Sequence, residues 1–152
     1  MSIIRADISD IETVKYITTE TINSIYPHYY PEGAVDFFLG HHNDKNIEND
    51  IRAGIVYLCF DNENNAVGTV TVKENEICRL FVLPEYQGNG YGKELISFAE
   101  NKISKKYNEI ILHASLPAKA IYLKKGYKEL EFHSIKTENG DYLCYDMMIK
   151  QI

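Results

Sequence analysis

The run Gln87-Gly88-Asn89-Gly90-Tyr91-Gly92-Lys93 has the residue types and the spacing to hold an anion. Glycines at alternate positions leave no Cβ atoms between successive backbone N–H groups and a guest, so those groups can turn inward together. An apolar strand at 77–82 leads into the run, and an amphipathic helix with Leu95, Ile96, Ala99 and Ile103 on its inner face leaves it. The helix contributes its unsatisfied first-turn donors and the positive end of its dipole, and Lys93 contributes a full charge. A diphosphate is the expected guest. A dinucleotide fingerprint requires G-x-G-x-x-G, whereas this loop reads G-x-G-x-G before Lys93, on a strand that comes third in a meander and not first in a βαβ unit. A P-loop requires four residues between its glycines and Ser or Thr after the lysine; here three separate Gly88 from Gly92, and Glu94 follows Lys93. Both of the commoner nucleotide motifs fail.

The elements that must position this loop follow from the periodicity on either side of it. Ile3 and Ile4 begin a short edge strand, and Ser9-Asp10-Ile11-Glu12 has the form of a capping box. Ile11, Val14, Ile17, Ile22 and Ile25 recur at helical spacing until Pro27 stops the helix. Pro31 opens a second helix, with Val35, Phe38 and Leu39 inward and its end near His41-His42, and residues 46–52 make a further helical piece closed by Gly54. The period then switches. Residues 55–60 and 66–72 form a hairpin around Asp61-Asn62-Glu63-Asn64-Asn65, and the turn at 73–75 leads into 76–82, an antiparallel meander that ends in the glycine loop. After the loop's helix come a parallel crossover strand at 109–113, a short helix at 117–125 capped by Gly126, and a closing hairpin of 127–135 and 142–149. No repeat or linker divides the chain, so residues 1–152 read as a single domain of α/β (α+β) class.

Composition bounds the function classes. A chain of 152 residues buries close to about 70% of its unfolded surface, enough for a real core. With 16 basic and 22 acidic side chains the net charge is −6, which argues against a general nucleic-acid partner and mildly favours cationic ones. Cys59, Cys78 and Cys144 are odd in number, widely spaced and set in apolar strands, which predicts reduced core thiols and no disulfide or metal site. The N-terminus lacks a long apolar stretch and no run approaches the roughly 20 residues of a membrane span, so a cytoplasmic protein without a membrane partner is expected.

The pattern V-x-P-x-x-Q-G-x-G-x-G between a strand and a helix resembles the acyl-CoA-binding motif of the GCN5-related N-acetyltransferase (GNAT) superfamily. A second block, residues 115–127, resembles that family's later signature N-x-x-A-x-x-x-Y-x-x-x-G-[FY]: Ala118, Tyr122, Gly126 and Tyr127 match, and Ser115 stands in place of the commoner asparagine. A hydroxyl there can still bond a pantetheine arm or cap the following helix. The resemblance implies the GNAT fold, a central mixed, mostly antiparallel sheet of about seven strands flanked by about four helices, across nearly the whole chain. It also implies that acetyl-CoA is the co-substrate. Gln87 to Lys93 would then hold its pyrophosphate, while the backbone at Leu80, Phe81 and Val82, together with Ser115 and Tyr122, would face the pantetheine arm.

Direct transfer to a primary amine follows from the same resemblance. Tyr122 falls at the family's general-acid position; the competing reading is a helix tyrosine that packs under the cofactor. An acceptor amine with pKa near about 10.4 is neutral in roughly one molecule in 2,500 at pH 7, so something must desolvate or deprotonate it. Glu76 aligns with the glutamate base of histone-acetylating members, against the alternative of a solvated hairpin edge. The glutamate used by members that acetylate ribosomal-protein N-termini falls at Ile110 and is absent. His41 and His42 follow the second helix, in the region that lines the acceptor site in this family. Tyr26, Tyr29, Tyr30, Phe37 and Phe38 make an unusually aromatic stretch that either joins the core or encloses a cationic amine by cation–π contact, with Asp36, Glu76 and Asp141 adding negative charge. This pattern favours a small amine such as a polyamine or amino-sugar over a protein tail. Both a monomer and a homodimer are compatible with the closing hairpin.

Overall fold

A computed structural model describes residues 1–152 and contains one seven-stranded sheet in the order β1-β2-β3-β4-β5-β7-β6. The strands are β1 (Ser2–Arg5), β2 (Val56–Phe60), β3 (Ala66–Lys73), β4 (Glu76–Val82), β5 (Glu109–Ala114), β6 (Lys128–Lys136) and β7 (Tyr142–Gln151). The helices are α1 (Ile11–Ile25), α2 (Glu32–His41), α3 (Asp44–Arg52), α4 (Tyr91–Ser104) and α5 (Leu116–Lys124). Every neighbouring pair of strands is antiparallel except β4 and β5. This is the GNAT fold expected from the two motifs.

Two apolar layers cover the sheet. On one face Leu95, Ile96, Ala99 and Ile103 of α4 pack on Val70, Val72, Ile110, Leu112 and Met148. On the other, Val14, Ile17 and Ile22 of α1 and Ile47 and Ile51 of α3 pack on Leu58, Phe81 and Leu143. Within that second layer lies one buried cation. Arg79 is 5% exposed; its guanidinium pairs with Asp50 at 3.0 Å and donates to Thr71 Oγ1 at 2.9 Å and to Nδ1 of His42 at 3.3 Å. Burial, with Arg79 and His41 adding repulsion, lowers the pKa of His42 to about 3, so its ring stays neutral and can accept that bond.

Three local features differ from the sequence expectations. The capping box is formed by Asp7 and Asp10, not by Ser9 and Glu12: Asp7 accepts from the Ser9 N–H at 2.8 Å and Asp10 accepts from the Asp7 N–H at 2.9 Å. A one-turn 3-10 helix, Ile8–Asp10, precedes α1 and moves the cap upstream. Only Cys59 is a buried core thiol; Cys78 is exposed and Cys144 half-buried. Cys78 is exposed because the β3–β4 register passes from Thr71↔Arg79 to Val72↔Ile77 and leaves it unopposed, a bulge that turns its side chain out of the layer. Finally, the aromatic stretch divides. Tyr26 and Tyr30 are buried, with Phe38 edge-on to Tyr26 at 4.7 Å, while Tyr29 and Phe37 are exposed.

Helix α2 is clasped to the tip of the β6–β7 hairpin. The Gly33 N–H donates to Asp141 Oδ2 at 2.9 Å, and a Cβ at position 33 would collide with the side chains of Asn139 and Thr137. Asp141 also accepts from Asn139 Nδ2 at 2.9 Å, so its charge is committed to this clasp.

Candidate active site

The centre of the sheet comes apart by design of its register. β4 and β5 pair only at Glu76↔Ile111 and Ile77↔Leu112, and beyond these the β5-facing edge of β4 has no strand partner. The bulge at Cys78 bends β4 just where the separation begins. Between the diverging strands and α1, α4 and α5 lies a cavity of about 360 Å³.

One wall of the cavity is the glycine loop. Pro84–Tyr86 makes a 3-10 turn after β4, and the Gln87 side chain folds back to donate to the Val82 carbonyl at 2.9 Å. Gly88 and Gly90 have φ of +81° and +90°, a region closed to most side chains, and Gly90 is the N-cap of α4 with no side chain to cap it. The backbone N–H groups of residues 88–93 find no acceptor within the protein; only Glu94 N returns, to Gly90 O at 3.1 Å. A Cβ at Gly88 or Gly90 would meet nothing within 4 Å, so this cradle opens outward. Consecutive donors on a helix N-terminus, with Lys93 on the cavity wall, fit a diphosphate.

The opposite wall comes from α5 and the end of β5. Tyr122 is 7% exposed and its hydroxyl bonds to no protein group, yet no fully buried side-chain polar atom is left unpartnered. Its oxygen therefore borders the cavity. Burial, then the neighbouring Tyr26, push the Tyr122 phenol well above its ordinary value, which keeps it protonated at neutral pH. Ser115, the N-cap position of α5, lines the same wall, as do Leu80, Phe81 and Val82 of β4.

The predicted site residues thus divide. Leu80, Phe81, Val82, Gln87, Gly88, Gly90, Gly92, Lys93, Ser115 and Tyr122 share this one cavity. Asn89 and Tyr91 lie beside it: the Asn89 amide donates to Tyr86 O at 3.2 Å, and the Tyr91 ring meets Tyr86 edge-on. Glu76 does not line the cavity; it stands at the closed end of the splay and bonds His113 on β5, also outside the lining, with 3.1 Å between Oε1 and Nδ1. Tyr30, Tyr29, Phe37 and His41 do not line the cavity. The Tyr30 hydroxyl donates to Cys144 O at 3.1 Å and accepts from Leu116 N at 2.7 Å, joining β7 to the start of α5. Phe37 and His41 stack on each other with centroids 6.4 Å apart on the exposed side of α2.

Tyr26 of the aromatic stretch also lines the cavity, as do Thr21 and Ile121, which carry no motif. Thr21 had a faint signal: it lies four residues from both Ile17 and Ile25, a hydroxyl on an apolar stripe, and it donates to Val82 O at 3.3 Å.

The same architecture occurs in solved acetyltransferases. A GCN5-related N-acetyltransferase from Rhodopseudomonas palustris superposes with a TM-score of 0.89 at 19% identity, over 99% of this chain and 95% of that one. PaiA N-acetyltransferase from Thermoplasma acidophilum, in complex with coenzyme A, gives 0.74 at 22% identity over 99% and 98%. Naa50 from Arabidopsis thaliana, bound to the bisubstrate analogue CoA-Ac-MVNAL, gives 0.70 at 24% identity over 99% and 98%. No curated protein matches the sequence. These likenesses, all below 25% identity, are likenesses of fold.

The acetyltransferase (GNAT) domain family matches residues 25–148, and the chain belongs to that family. It is an acetyl-CoA-dependent N-acetyltransferase, with acetyl-CoA as co-substrate.

Proposed function

We propose that this protein transfers the acetyl group of acetyl-CoA directly to a primary amine of a small molecule, such as a polyamine or amino-sugar. The observation that carries the reading is the convergence on one cavity of the open donor cradle at 88–93, the unpaired edge of β4 and the unbonded Tyr122 hydroxyl. Acetyl-CoA supplies the acetyl group in activated form, as a thioester. The N–H groups of residues 88–93 and the Lys93 ammonium bind its diphosphate. The free edge of β4 offers the backbone groups of Leu80 and the Val82 N–H to its amide arm, while Phe81 turns its backbone to β3, and Ser115 adds a hydroxyl from the other side. Tyr122, kept neutral by burial, donates its phenolic proton to the departing sulfur. Glu76 and His113, at the closed end of the splay, take the proton released by the amine.

A small acceptor is favoured by the clasp between Gly33 and the hairpin tip, which joins the two segments flanking the acceptor side. A second reading, acetylation of a peptide N-terminus, draws support from the likeness to Naa50 with its peptide-bearing analogue. One assay tests both: thiol release from acetyl-CoA with a panel containing polyamines, amino-sugars and short peptides. Turnover confined to the small amines is the expected result, and turnover confined to peptides sinks the small-amine reading. Absence of thiol release with every amine, despite a rise in Tm with CoA, would mark a binding module instead of an enzyme acting on these acceptors.

A further inference from the structure

His113 was singled out by no motif, yet its placement is specific. It is the first β5 residue past the last β4–β5 pair, so it stands where the strands begin to part. His113 does not itself line the cavity, but by strand alternation it lies on the same side of the chain as Ser115, a cavity-wall residue about 7 Å further along. Its Nδ1 lies 3.1 Å from Glu76 Oε1. An ionised carboxylate only accepts, so the imidazole's proton is on Nδ1 and the lone pair on Nε2. Nε2 has no protein partner, and the side chain is 44% exposed.

The neighbours hold the ring without competing for that nitrogen. Tyr145 on β7 meets it edge-on at 5.5 Å, and His133 on β6 lies at 6.4 Å, itself stacked on Tyr145 and bonded to Glu131. Glu76 is the one charged group bonded to His113, and Lys73 and His41 act on Glu76 from further off.

The geometry points to His113 Nε2 as the group that accepts the amine's proton, with Glu76 as the residue that fixes its tautomer and stabilises the imidazolium. The inference rests on the acetyl-transfer reading above. In the step, the amine nitrogen bonds the acetyl carbon and the carbon–sulfur bond breaks. One proton passes from nitrogen to His113 Nε2, and one passes from Tyr122 to the thiolate. Solvent then returns the proton to Tyr122 and removes that on His113, so amine and thioester give amide and thiol. The assignment explains why a carboxylate held below its ordinary range by the hydrogen bond from His113 sits here. Such a group is a weak base, whereas the same bond raises the imidazole.

Two measurements separate this from its rivals. NMR titration of the His113 ring, which needs no substrate, should give a pKa above that of an ordinary histidine in the wild type and a lower one in Glu76→Gln. No change in Glu76→Gln overturns the dyad alone. With the amine that releases thiol, kcat/KM should have an acidic limb that moves to lower pH in Glu76→Gln and disappears in His113→Gln. His113→Gln should also lose about 10²–10⁴-fold in kcat/KM at neutral pH, with CoA affinity unchanged. A limb that survives in His113→Gln and vanishes in Glu76→Gln makes Glu76 the base and overturns the assignment. Absence of thiol release with every amine overturns the transfer reading itself, and the base with it, whatever the NMR result.

Discussion

The two halves of the proposed site, one for the coenzyme and one for the acceptor, are built from different materials. The coenzyme half, residues 87–93 and the free edge of β4, is mostly backbone: its donors are peptide N–H groups and its shape comes from two glycines with positive φ. The half proposed for the acceptor lies outside the cavity's lining and is side chains brought together from distant positions: Glu76 with His113, Arg79 with Asp50 and His42, and Gly33 against Asn139. A backbone site is local and depends on spacing, whereas a side-chain site depends on tertiary contact. The two halves should therefore fail separately when mutated.

The largest separation is expected at the seam. Tyr122→Phe should lower kcat by about 10²–10⁴-fold while leaving the Kd for acetyl-CoA and the Tm nearly unchanged. Normal turnover in this variant would remove Tyr122 as the acid and leave it a packing residue. Next, Asp50→Ala leaves the Arg79 guanidinium buried without its counter-ion and should cost about 3 kcal/mol of stability, with a raised acceptor KM in the folded fraction and unchanged CoA affinity. A Tm equal to wild type would mean that Thr71 and His42 suffice to hold the cation.

Gly90→Ala tests the coenzyme half. A side chain at φ +90° strains the loop by about 1–3 kcal/mol, so the Kd for CoA should rise about tenfold with acceptor KM unmoved, as read by calorimetry and initial rates. The smallest effect concerns pH. The pKa of Glu76 is lowered by the His113 hydrogen bond, so its contribution is present above its ordinary value of 4.5 and is lost as pH falls through the lowered one. The pKa of His113 is raised by the same bond, so its contribution is complete below 6.5 and is lost as pH rises through the raised one. Tm should therefore carry a shallow maximum between pH 4.5 and 6.5 that Glu76→Gln flattens. This exposed pair is worth about 0–1 kcal/mol, and an unchanged profile in Glu76→Gln would show that solvent screens it fully.

Sequence legibility tracks this division. Strand and helix positions, the β4–loop–α4 unit and the Tyr122 helix were readable because each is written in a short period or a fixed spacing. The glycine loop was the easiest, since positive φ and side-chain-free donors demand glycine at set intervals. The acceptor half resisted because its pairs are far apart in sequence: Glu76 and His113 are separated by 37 positions and Gly33 and Asp141 by 108. Arg79 is one charge within the apolar run 77–82, and nothing local to it marks Asp50, 29 positions away, as its partner. Tyr30 reads the same as Tyr29 in a local pattern, yet one ties β7 to α5 and the other faces solvent.

The unclaimed N–H groups at 88–93 have a consequence for how this protein can change. Every non-proline residue carries the same amide, so point substitution away from the two strained glycines leaves these donors in place, and only the side-chain contributions proposed for Lys93 and Ser115 are open to loss. The acceptor side has no such protection, because each of its contacts is one side chain deep. On the proposed reading, new acceptors are acquired by editing α2 and the final hairpin while the amide cradle is inherited.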